Sequence, residues 1–233
     1  MQAMQIIAVA GSALAAAVLG AALPGAAGTR PAGAAAGCAA PPQAAFVAVE
    51  LVAPEVKVDR ALSRRELAKE YGHGHAAGSI VFGLTAGRVK SELAVHSLTQ
   101  QRADGVFCGW PARLAATVAY DGPIAVHLVR DLRPGSCQHE AVLDHEMEHV
   151  AVFREALPVY EAELTKALEA ALADGRFPVT GRDRGKVQAE TGKRFEAAFE
   201  GAVAAAEAER HRRNARLDTP QSYQRTRDRC RSW

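Results

Sequence analysis

Between residues 46 and 130 the apolar positions fall in short runs, and several alternate with polar ones at the two-residue period of a strand. Residues 46–52 and 79–85 form two such runs, and 91–98 a third. Residues 113–120 and 124–130 flank Asp121-Gly122-Pro123, a turn sequence that predicts a β-hairpin between them. Residues 63–71 have helical composition and predict a short helix. After Pro134-Gly135 the period changes. Ser136 is a good N-cap, and Leu143, Met147, Val150, Leu157, Leu164, Leu168 and Leu172 recur at steps of three, four or seven. One long helix is predicted over 137–173, with Pro158 expected to kink or split it. Gly175 and Pro178 end that segment, and a second long helix, rich in Ala, is predicted from Asp183 to about Arg216.

The expected fold class is therefore α+β: a small antiparallel β-region followed by a long antiparallel helical hairpin. Charge gives a reason for the helices to pair. Residues 137–173 carry eight acids against Arg154 and Lys166, whereas residues 210–233 carry eight arginines against Asp218 and Asp228. An antiparallel hairpin lays the basic end beside the acidic start. The whole chain of 233 residues has a formal net charge of only +2, so no nucleic-acid partner is expected.

The N-terminus bears on the compartment. The stretch 6–23 contains no charge and is followed by Leu23-Pro24-Gly25-Ala26-Ala27, small residues suited to signal-peptidase cleavage. Its Ala and Gly content disfavours a spanning helix. The expected organisation is a signal peptide over 1–27, an Ala/Pro-rich linker over 28–45 and one domain over 46–233, secreted or periplasmic, with no stable membrane anchor after cleavage. Four cysteines fit such an oxidising compartment. With the tail running back across the acidic start of the first helix, Cys137–Cys230 is the favoured bridge and Cys38–Cys108 its complement. Cys108–Cys137 with Cys38–Cys230 is the rival.

His145-Glu146-Met147-Glu148-His149 fits His-Glu-x-x-His. On a helix, positions four apart share a face, so both imidazoles can reach one ion, and the adjacent Glu146 can take a proton from water. A third ligand is required. Glu155 occupies the place where a turning Gly-x-x-His extension would put one, but Val152 stands where the Gly would be. Glu169 lies about 30 Å beyond His149 on a continuous helix. Setting the two long helices level places Arg210 beside Met147, which makes His211 the first choice for third ligand and Glu207 the second. Asp218 or Tyr223, just past the helix end, can fold back over the metal instead. Among the other histidines, His73-Gly74-His75 reads as a Gly-rich loop, His139 faces away from His145, and His96 and His127 read as structural.

The arrangement of an apolar N-terminal segment, a β-region containing Cys108 and ending in a hairpin, and a helix bearing the 145–149 motif resembles the predicted secreted bacterial zinc-dependent proteases with a minimal metalloprotease-like domain. The likeness runs over about residues 46–223. It implies a zincin-like fold, a Zn²⁺ cofactor, His145 and His149 as ligands, Glu146 as catalytic base, and a peptide or protein substrate. The alternative is a non-catalytic, disulfide-braced envelope or secreted binding protein in which the histidines are incidental.

Overall fold

The strand and helix periods resolve into a mixed α/β structure, a computed structural model that describes residues 37–41, 43–71, 81–174 and 176–233. The signal peptide expected over 1–27, residues 28–36 of the expected linker and the His73-Gly74-His75 segment lie outside the described residues. In chain order the elements are β1 (Phe46–Leu51), β2 (Val56–Asp59), α1 (Arg64–Tyr71), β3 (Gly83–Ala86), β4 (Val89–Gln101), β5 (Phe107–Tyr120), β6 (Ile124–Leu128), α2 (Cys137–Ala173), β7 (Val179–Gly181), α3 (Arg184–Leu217) and α4 (Pro220–Asp228).

The sheets are mixed, which corrects the antiparallel expectation. In one sheet β5 is central, with β1 parallel on one side and β4 antiparallel on the other, and β7 continues the β1 edge. In the other β6 is central, with β2 parallel and β3 antiparallel. Both sheets share one order, because each of three chain passages is interrupted at the same level: residues 52–55, 87–88 and 121–123. The Asp121-Gly122-Pro123 segment is one of these interruptions rather than a hairpin. Gly122 takes φ +86°, and past Pro123 the Ile124 N–H donates to the Glu55 carbonyl, so β6 leaves the first sheet to pair with β2 and β3. The hairpin that does form joins β4 to β5 through residues 102–106, where Gly105 has φ +80°.

The long helices have the bounds that their patterning predicts. The Ser136 side chain accepts from the His139 N–H to cap α2, and Asp183 caps α3 by accepting from Lys186. Helix α2 runs unbroken through Pro158 for 37 residues. Helix α1 opens with a reciprocal cap between Ser63 and Glu66. Helices α2 and α3 run antiparallel, as His149 meets Asn214 and Phe153 lies under Arg210. Two apolar clusters follow from the broken sheet. Leu114, Ala116 and Val118 of β5 pack under Tyr160, Leu164, Leu168 and Phe195 of the long helices. Ile124, Val126 and Leu128 of β6 pack under Leu67, Val142, Val150 and Phe153. Each such large side chain contributes about 1.5–3 kcal/mol on burial. Helix α2 crosses both halves, and this places its N-terminal third, around Val142 and Glu146, beside β3.

The disulfides are Cys38–Cys108 and Cys137–Cys230, the pairs favoured from the sequence. The second fastens the chain after α4 to the start of α2, supported by the Arg229–Asp144 ion pair at 2.6 Å and by Gln138 Nε2 donating to the Ser232 carbonyl. It closes a loop across a sequence separation of 93. Replacing both cysteines, Cys137→Ser with Cys230→Ser, should therefore lower stability by roughly 3–5 kcal/mol in urea unfolding. Two disulfides fit a non-cytoplasmic compartment. Among the described residues no helix is long and apolar enough to cross a membrane.

Candidate metal centre

His145, Glu146 and His149 lie on the buried face of α2, at 7%, 5% and 7% exposure. The two imidazoles stand edge to face with centroids 5.0 Å apart. The residue that meets them is Asp218, at the C-terminal cap of α3. Its Oδ1 lies 3.2 Å from His149 Nε2 and 3.7 Å from His145 Nε2. One ligand atom from each of the three falls within 4.8 Å of the others, and the group can hold a metal ion. The donor chemistry fits zinc: at the usual Zn–N and Zn–O lengths of about 2.0–2.2 Å, neighbouring ligand atoms of a tetrahedron stand about 3.4 Å apart. Two of the pairs here bracket that spacing.

The sequence register brings His211 and Glu207 to this place, and the structure does not. The Glu207 carboxylate is taken by Arg210 at 2.5 Å, while His211, 70% exposed at its side chain, sits 3.5 Å from the same oxygen. The physical reason lies at the far end of the hairpin. The link 174–183 is no tight turn but crosses to β5 as β7, so α3 starts beyond the end of α2. Val187 and Thr191 of that overhang fill the space over Gly109. Arg210 consequently meets Phe153 instead of Met147, a displacement of nearly two turns. Asp218, named from the sequence as an alternative, takes the position.

Local signals set Asp218 and Tyr223. Thr219 caps α4 by accepting from the Ser222 N–H, with Pro220 at the first helical position, so α3 must stop at Asp218. The Tyr223 hydroxyl donates to Asp218 Oδ1 at 2.7 Å, and its ring lies 5.5 Å from that of His145. On the other side of the pair, His149 Nδ1 donates to Asn214 Oδ1 at 3.0 Å, which orients the ring so that Nε2 faces Asp218 and the place a metal would take. Burial works to lower the His149 pKa, but its hydrogen bonds to Asp218 and Asn214 outweigh that and hold it raised, at about 9. Burial likewise opposes ionisation of Asp218, yet His145 beside it and the hydrogen bonds from His149 and Tyr223 keep its carboxyl well below the usual carboxylate range.

The signs of these two shifts differ. The raised His149 value gives stability that is complete below an unfolded pKa of about 6.5 and fades as pH climbs through about 9. The lowered Asp218 value gives stability present above an unfolded pKa of about 3.9 and lost on acidification. In protein dialysed against EDTA, urea midpoints should therefore drop between pH 6.5 and 9 more in the wild type than in Asp218→Asn, by a titration of the whole series.

Glu146 is held from β3. Thr85 Oγ1 donates to Glu146 Oε2 at 2.8 Å, and burial pushes the carboxyl up, against the pull of His149 and Thr85. Gly83 makes the fit possible. A Cβ there would stand 2.7 Å from Glu146 Oε1 and from Val142 Cγ1. Gly83→Ala should displace the Glu146 carboxylate and cut any hydrolytic activity at least about tenfold while zinc content stays that of the wild type, read by metal analysis beside kinetics. The histidines outside the group stay apart from it: His139 pairs with Glu140, and His127 stands by Asp59. Neither Gly83, Thr85 nor Asn214 is singled out by sequence reasoning. Asn214 carries a usable signal, since it precedes Asp218 by one turn on the same helical face.

The site opens into a cavity of about 770 Å³ whose walls include β3, the motif face of α2, the end of α3, α4 and Trp233. Strand β3 is an edge strand, whereas β5 and β6 are paired on both sides. Residues 113–130 therefore present no free strand edge to a peptide along most of their length. No protein-family model matches the chain, and no match is found among curated proteins or solved structures.

Proposed function

We propose that the protein is a secreted or periplasmic zinc-dependent metallopeptidase of zincin-like design, with His145, His149 and Asp218 as the zinc ligands and Glu146 as the general base. The observation that carries this reading is the meeting of three ligand atoms within 4.8 Å, beside a buried carboxylate, in one open cavity. Zn²⁺ held there supplies a Lewis acid that polarises the scissile carbonyl and makes water a nucleophile at neutral pH. Glu146 takes the proton of that water. Burial raises its proton affinity, which helps it accept a proton and then pass it on to the leaving amine. Thr85 holds the carboxylate in place, Asn214 holds His149, and Tyr223 holds Asp218. The free edge of β3 offers backbone groups to an extended peptide or protein substrate.

The experiment is hydrolysis of a quenched fluorescent peptide library. Cleavage that stops with 1,10-phenanthroline and returns with equimolar zinc supports the reading. Cleavage indifferent to the chelator contradicts it, and zinc binding without any cleavage favours the disulfide-braced binding protein instead.

A further inference from the structure

Resting on the peptidase reading, we propose that the cleft selects acidic peptides, with Arg64 and Arg227 recognising a carboxylate side chain about three residues from the scissile bond. The cavity is lined by Arg64, Arg210 and Arg227 on one side of the charge balance and by Glu146 and Asp218 on the other. Both carboxylates are engaged, Glu146 by Thr85 and Asp218 by the histidines and Tyr223. Arg210 is buried, paired with Glu207 and laid 4.7 Å over the Phe153 ring. Arg64 and Arg227 are exposed and form no ion pair among the described residues. Beyond the metal group and Glu146, the charge that the described residues present to the cavity is therefore positive.

These two arginines belong to one built wall. The Arg64 guanidinium lies 4.7 Å over the Phe82 ring, Phe82 meets Trp233 at 5.5 Å, and Trp233 Nε1 donates to the Arg227 carbonyl at 2.7 Å. The Cys137–Cys230 bridge and the Gln138–Ser232 hydrogen bond hold the tail that carries Trp233. Such stacking keeps a guanidinium charged and oriented while leaving its N–H groups for a ligand. Position follows from the strand. Thr85 touches Glu146, and Phe82 precedes it by three residues, roughly 10 Å along an extended chain. A peptide lying along β3 would thus bring its third side chain from the reacting bond to Phe82, Arg64 and Trp233.

The test uses the full chain and one peptide made with Glu, Gln or Lys at each position in turn. Mass spectrometry of products from the wild type locates the scissile bond. Glu three residues from it, on one side only, should raise kcat/KM about tenfold over Gln, and 0.5 M NaCl should shrink the ratio. In Arg64→Gln with Arg227→Gln the ratio should fall to about one. A ratio unchanged in the double variant, or a preference for Lys, overturns the proposal. Binding to the Glu146→Gln protein, read by fluorescence anisotropy, separates this from the peptidase reading. If the wild type cleaves nothing, that reading fails, yet tighter binding of the Glu peptide that depends on both arginines still supports acidic recognition. Glu and Gln peptides bound alike, or neither bound, overturns it.

Discussion

Glu146→Gln is expected to lower peptide hydrolysis by about a thousandfold while the protein still holds one zinc per chain. The amide is isosteric with the carboxylate and can still accept from Thr85 Oγ1, so the contact to β3 persists. What disappears is the ability to take a proton. The side chain is 5% exposed and surrounded by Val142, Gly83 and Thr85, so no bulk water can easily replace it as base. Kinetics on metal-replete protein, with zinc measured on the same sample, check this. Activity within tenfold of the wild type would show that the base is elsewhere.

Asp218→Ala should weaken zinc binding by more than about a hundredfold, above the tenfold to hundredfold that follows loss of an outer hydrogen-bond partner. Asn214→Ala should fall in that lower range, because it touches only the far nitrogen of His149. His211→Ala should do little, since its imidazole faces Glu207 and solvent. Competition with a chromogenic chelator ranks the three. The order matters more than any one value, as it separates the observed register of α3 from the one in which the helix ends are level.

That register is the clearest case of what could and could not be read from residues alone. Helical periodicity, the Ser136 cap and the breakers at Gly175 and Pro178 define α2 to the residue, because these are local energies written in local sequence. The motif and the face of α3 opposite it are legible for the same reason. Glu207, His211, Asn214 and Asp218 lie on one stripe, so the sequence identifies the face of α3 that carries the ligand. The axial position along that face is not local. It depends on β7 pairing with β5 and on Val187 filling the space over Gly109, contacts between segments far apart in sequence. The β-region failed for a related reason. Asp121-Gly122-Pro123 has hairpin chemistry, yet the open edges of β2 and β3 offered Ile124 to Leu128 partners that a hairpin would have denied. The disulfides were readable because either register leaves the basic tail beside the acidic start of α2.

The proposed function stands on one zinc ion held between α2 and the end of α3. A crystal of the protein soaked in zinc, with anomalous differences collected on both sides of the zinc absorption edge, reads that ion out. One strong peak is expected, about 2.0–2.2 Å from Nε2 of His145, Nε2 of His149 and an Oδ of Asp218. No peak there, or a peak held by Glu207 and His211 without Asp218, would contradict it.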